Sequence, residues 1–136
     1  MIITVIDGMG GGLGKSIVEL LRTIKTSKDL EIVAVGTNAL ATTNMMKAKP
    51  DAGATGENAI IYNANRADFV IASAGILLGN SMQGEITPTI ASAVSCSEAF
   101  KIFVPIGRDD AIFLGTNEKP LNETLSQIIK IIKQWD

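Results

Sequence analysis

A chain of 136 residues, 46% of them hydrophobic and with a mean hydropathy of +0.29, has the length of one domain and enough apolar material for a buried core. Its formal net charge of −2 is the balance of 12 basic and 14 acidic residues with no basic block, which argues against a nucleic-acid backbone or an anionic membrane as partner. With no His and a single Cys, Cys96, the chain excludes an intramolecular disulfide, the usual zinc sets and every His-based acid–base or triad chemistry, and no metal site is expected.

Residues 2–6 are β-branched throughout and nearly continuous in hydrophobicity, which predicts a central parallel strand covered on both faces. A glycine turn follows, and then Leu13, Ile17, Leu20, Leu21 and Ile24 recur at helical spacing with Lys15, Glu19, Arg22 and Lys25 on other faces. Residues 31–36 read as a second buried strand, and Thr37-Asn38 as the cap of a helix over 39–49, giving a βαβ unit. Pro50 stops that helix. Residues 51–56 read as a turn-rich connection, with Thr55 capping a helix over 57–66.

A third strand is predicted at 68–73, and 74–79 either end it or begin a loop. Thr87-Pro88 is a helix entry, followed by a fourth strand at 101–106 in which Pro105 points to a sheet edge or a local break in pairing. Only four residues, 107–110, separate that strand from the apolar segment 111–114, a length suited to a hairpin and not to a parallel crossover. From Pro120, Leu121, Leu125, Ile128, Ile129, Ile132 and Trp135 share one stripe of a final helix. The expected architecture is a single Rossmann-like domain over 1–136: a three-layer α/β sandwich around a mostly parallel sheet of about five strands, with an antiparallel C-terminal hairpin strand.

The strand-to-helix turn carries most of the functional information. Five glycines occupy the seven residues 8–14, more backbone freedom than a turn requires. Glycines let a phosphate approach the main chain, and the helix behind them offers unpaired N–H groups and the positive end of its dipole. Gly8, Gly10, Gly11, Gly12, Leu13, Gly14, Lys15 and Ser16 are therefore the expected phosphate-binding residues, with Thr37, Asn38, Ala74 and Gly75 beside them at the carboxyl ends of the strands. Gly14-Lys15-Ser16 nearly complete a P-loop, but Met9 stands where its first glycine belongs and no predicted strand ends in the Asp that would hold Mg²⁺. Asp7 is suited to a metal, a ribose hydroxyl or a hydrogen bond bracing the loop.

The spacing Gly8, Gly12, Gly14 together with Asp68-Phe-Val-Ile-Ala-Ser-Ala-Gly-Ile76 resembles the cofactor-binding half of short-chain dehydrogenases. That resemblance implies NAD or NADP as cofactor. The chain departs from it in having no Tyr-x-x-x-Lys pair, its single Tyr, Tyr62, being followed by Arg66 at the lysine spacing, and in having Gly36-Thr37-Asn38 where an acidic residue usually holds the ribose. As a whole the chain resembles a family of short uncharacterised bacterial proteins. The resemblance is carried by Ile-Asp-Gly-x-Gly-Gly-Gly-x-Gly-Lys at 6–15, Gly-Thr-Asn at 36–38, Gly-Ala-Thr-Gly-Glu-Asn at 53–58 and Asn-Ser-Met-x-Gly-Glu-Ile-Thr-Pro at 80–88.

These readings converge on binding of a nucleotide or phosphate-bearing metabolite, NAD(P)-like first, with no reaction and no catalytic residue assigned. A P-loop-like ATPase or phosphotransferase using Lys15 and Ser16 is one alternative, and a non-catalytic scaffold or regulatory protein another. Glu57 and Glu85 are the general-base candidates, each equally suited to a helix terminus. Cys96 reads as inert and Met45-Met46 as core filler. The chain opens on a strand without a leader-like apolar segment, which together with the lone cysteine leads to a cytoplasmic expectation, and its apolar content to a homo-oligomer.

Overall fold

The β-branched run at the start forms β1 (Ile2–Asp7), and the next four-residue connection delivers the chain to α1 (Gly12–Leu21). A computed structural model describes residues 1–106, 110–116 and 119–136. After α1 come β2 (Glu31–Gly36), α2 (Ala39–Met46), β3 (Ala52–Thr55), α3 (Glu57–Arg66) and β4 (Phe69–Ser73). A 3-10 turn (Ala74–Leu77), α4 (Pro88–Cys96), β5 (Phe100–Val104) and α5 (Leu121–Gln134) complete it.

Among the described residues five strands form one sheet in the order β3-β2-β1-β4-β5, and every pairing is parallel. The chain runs outward from β1 to β3, returns to lay β4 against the other side of β1, and continues outward to β5. This order is that of a doubly wound Rossmann-like sheet, whose crevice opens between β1 and β4 at their carboxyl ends. The two apolar clusters lie on opposite faces. Ile17, Leu21, Met45, Leu125, Ile128 and Ile132 from α1, α2 and α5 cover one, while Ile60, Ala64, Ile90 and Val94 from α3 and α4 cover the other. Strands buried on both faces explain the largely apolar runs of β1, β2 and β4.

The expected three-layer sandwich with a mostly parallel five-stranded sheet is the observed fold, but its fifth strand is a different one. Residues 111–114 are not in a strand, so the antiparallel hairpin strand is absent among the described residues, and the proposed turn at 107–109 lies outside them. The sheet instead gains β3 from a segment read as a turn. Its small residues hide the usual strand pattern, yet Gly53 leaves room for Met46 of α2 to pack directly on the strand. Pro105 acts as anticipated: β5 stops at Val104 on the sheet edge, and Ile106 N turns back to donate to Val104 O at 2.7 Å.

Helix entries follow local chemistry. Asn38 Oδ1 accepts the Ala41 amide at 2.8 Å to cap α2, and Thr87 Oγ1 accepts the Ile90 amide at 3.1 Å ahead of Pro88 to cap α4. Thr55 does not cap α3. Gly56 holds that position at φ 104°, and the Thr55 hydroxyl pairs with Thr42 Oγ1 at 2.7 Å. No helix among the described residues is long and apolar enough to cross a membrane.

Candidate functional site

The turn between β1 and α1 is built around the carboxylate that ends the strand. Asp7 is almost fully buried, and its Oδ1 accepts the Gly8 amide at 2.8 Å while Oδ2 accepts the Gly14 amide at 2.7 Å. Burial pushes its carboxyl above the usual carboxylate range, the two amides pull it back in part, and the charge of Glu85 adds to the rise. Contrary to the sequence expectation a strand does end in Asp, but this carboxylate braces the loop and faces its own amides.

Three of the glycines are required by the protein itself. Gly11 sits at φ +73°, and a Cβ there would lie 2.6 Å from the carbonyl oxygen of Ala41, so α1 and α2 approach backbone to backbone. A Cβ on Gly14 would strike Met45 and come within 2.8 Å of the Asp7 Cβ. At Gly8 it would lie 2.7 Å from Met82 Sδ and 2.8 Å from Thr37 Oγ1. Gly10 and Gly12 differ, since both are exposed and a Cβ on either would meet no atom within 4 Å.

The amides divide the same way. Gly8 and Gly14 are held by Asp7, Gly11 N donates to Gly8 O at 2.9 Å, and Lys15 N donates to Gly11 O at 2.9 Å. The amides of Gly10, Gly12 and Leu13 meet no acceptor among the described residues. They belong to the start of α1, where the first N–H groups lack helical partners and the dipole favours an anion. Lys15 and Ser16 turn toward their own helix: Lys15 Nζ lies 3.7 Å from Glu19 Oε1, and Ser16 Oγ donates to Gly12 O at 3.1 Å.

Glu85 joins this loop to the end of β2. Its Oε1 accepts from Asn38 Nδ2 at 2.5 Å, Thr37 Oγ1 at 2.7 Å and the Met9 amide at 3.1 Å. Partial desolvation raises its carboxyl, but the bonds from Thr37, Asn38 and Met9 together outweigh it, leaving Glu85 below the usual range and ionised. Thr37 and Asn38 thus stand beside the glycine turn as anticipated, and Asn38 Nδ2 also donates to Met9 O at 3.0 Å. Asn44 extends the network from α2 by donating to Gly10 O at 2.9 Å.

Ala74 and Gly75 follow β4 at the crevice but are buried in the 3-10 turn. Gly75 N donates to Ile106 O at 2.9 Å and Gly75 O accepts from Ser81 Oγ at 2.6 Å, so that backbone is engaged. Glu57 lies apart from Glu85, accepting the Thr87 hydroxyl at 2.6 Å between α3 and α4. Cys96 is exposed, and Met45 is core as read, whereas Met46 is partly exposed over Gly53. Met82 and Asn44 carried no local signal for the site, because a methionine and a mid-helix asparagine reach the turn only through the tertiary fold.

Chemically, the arrangement offers three neutral donors to a carboxylate, three further main-chain amides to solvent, and a buried carboxylate behind them. Among the described residues no three Cys, Asp or Glu side chains converge to hold a metal ion. A comparison with curated proteins finds no match. The model of one family, described as Domain of unknown function (DUF3842), matches residues 2–136, and the chain belongs to that family.

Proposed function

We propose that the protein binds a nucleotide or phosphate-bearing metabolite at the glycine turn, NAD(P)-like in class, through Gly8–Ser16 with Thr37, Asn38, Ala74 and Gly75 alongside. The Rossmann-like fold is compatible with nucleotide or cofactor binding in general. The observation that carries the reading is the remainder left after the protein's own needs are met. No close packing within the protein calls for a glycine at Gly10 or Gly12, and the amides of Gly10, Gly12 and Leu13 meet no protein acceptor among the described residues. Exposed glycines cost chain entropy, and close approach of a ligand to the backbone accounts for them. A P-loop-like ATPase is less well supported, since Lys15 and Ser16 engage α1 itself.

The same reading takes the chain as one cytoplasmic domain that self-associates, the self-association supported by the exposed apolar Ile112 and Leu114 in the segment after β5. The test is a thermal-shift panel of NAD, NADP, ATP, FMN and inorganic phosphate on the wild type and Gly12→Asp. Aspartate in the first helical turn suits the helix dipole and repels phosphate, so the variant is expected to fold and to lose the upward shift. A panel that moves neither protein, or moves both equally, removes this reading.

A further inference from the structure

The segment 78–87 follows the 3-10 turn after β4 and reaches across to the carboxyl ends of β1 and β2, where Glu85 meets Met9 and Thr37. Its neck is pinned: Ile86 is fully buried, the buried Ser81 hydroxyl donates to Gly75 O, and Asn80 N donates to Ile86 O at 2.7 Å. Its tip is wound tightly, with Asn80, Met82 and Gln83 at φ 66°, 54° and 56° and Gly84 at 85°. Three non-glycine residues in the left-handed region make an unfavourable backbone that persists only where surrounding contacts hold it. Those contacts are Met82 over Gly8 and the Glu85 carboxylate on Met9, Thr37 and Asn38.

The donors around Glu85 are all neutral, and among the described residues no Lys or Arg pairs with it. A hydroxyl, an amide and a main-chain N–H converging on one oxygen form an oxyanion site that an oxyanion from a distant part of the chain already fills. Its Met9 donor belongs to the same turn as the free Gly10 amide, so a phosphate bound on the turn and a seated Glu85 would be like charges in close quarters with no cation between them.

Resting on the binding reading above, we infer that Met9 N–H, Thr37 Oγ1 and Asn38 Nδ2 are a phosphate subsite whose internal occupant is Glu85, and that ligand phosphate displaces Glu85 and lifts the 82–85 tip off Gly8. Binding and latch release are then thermodynamically linked. Each lowers the cost of the other, and a latch closed most of the time weakens apparent affinity by the fraction open.

The experiment titrates the full-length wild type, Glu85→Ala and the double variant Glu85→Ala/Thr37→Val with NAD, ATP and inorganic phosphate by calorimetry. It also follows amide exchange at Met9 and 79–87 in the wild type. Glu85→Ala is expected to bind the phosphate compound about tenfold or more tightly, as removal of a latch closed about nine-tenths of the time requires. The double variant is expected to lose that gain, and saturating compound to speed exchange at Met9 and the tip in the wild type. Equal affinity in wild type and Glu85→Ala overturns the latch while leaving the binding reading intact. Weaker binding by Glu85→Ala also overturns it, since the carboxylate would then be accepting a hydroxyl of the ligand. If none of the proteins binds any of the three compounds, the binding reading itself falls and the latch with it. Should Glu85→Ala fail to fold, wild-type exchange decides alone, and a tip that does not loosen on saturation overturns the inference.

Discussion

Asp7 Oδ2 accepts the amide of Gly14 at 2.7 Å, closing the glycine turn from the end of β1 to the second residue beyond the first helical position. The same carboxylate takes the Gly8 amide on its other oxygen, so both limbs of the turn hang on one buried side chain. The turn is thereby braced at both limbs by the protein itself, the pre-organisation that a backbone-amide site requires.

The sign of the Asp7 contribution can be measured. Because burial places its folded pKa above the unfolded value, Asp7 favours the fold most below about 3.9, and this favour is lost as pH rises through the folded pKa. The difference in unfolding free energy between wild type and Asp7→Asn is therefore expected to shrink as pH increases from about 4 toward 7. Urea titrations across that range check it, and a difference that is flat or grows with pH refutes the assignment.

The glycines should separate into two classes. Gly11→Ala places a side chain on a left-handed residue against the Ala41 backbone and is expected to cost about 3 kcal/mol of stability. Gly10→Ala and Gly12→Ala, with nothing near their Cβ positions, are expected to stay within about 1 kcal/mol of wild type while weakening phosphate binding. Chemical denaturation paired with ligand titration of the three variants tests this directly.

Asp51 fastens the entry to β3. Its Oδ2 accepts the Ile32 amide at 2.7 Å and pairs with Arg22 Nη2 at 2.9 Å, and Arg22 Nε donates to Lys49 O at 2.7 Å. The Ile32 bond, joined by Arg22, outweighs the desolvation of its carboxyl and holds it below the usual range. The contribution is present above the unfolded value and lost as pH falls through the folded one. Asp51→Ala is expected to cost about 1 kcal/mol near neutrality and to speed amide exchange along β3 ahead of the other strands. Uniform exchange across the sheet would refute the role.

Trp135 provides a control remote from the crevice. Its ring meets Phe69 at 5.6 Å and Phe100 at 5.1 Å, at the amino-terminal ends of β4 and β5, and the adjoining Asp136 accepts the Ser27 amide at 2.9 Å. Trp135→Ala is expected to cost about 1–2 kcal/mol, the half-exposed ring contributing through its two aromatic pairs. Ligand affinity should be unchanged, because the cluster lies at the opposite end of the sheet. A loss of affinity matching the loss of stability would show that the two ends are coupled.

The largely apolar runs of β1, β2 and β4 and the stripes of α1 and α5 follow from burial on two faces or one, a property of local order that the amino-acid sequence alone determined. The caps at Asn38 and Thr87, the break at Pro105 and the glycine turn before α1 are likewise short-range chemistry. β3 was not legible, because Ala52, Gly53, Ala54 and Thr55 are strand-forming only beside β2 and under Met46. The segment 111–114 misled for the converse reason, since an apolar run is a strand only where it pairs with a neighbour, and this one does not pair. Only the tertiary structure decided which glycines the protein needs for itself and that Glu85, some fifty residues beyond Thr37 and Asn38, seats on them. The physical cause is that periodicity and capping act within a few residues, whereas hydrogen bonds between distant loops exist only once the sheet has set the strand ends side by side.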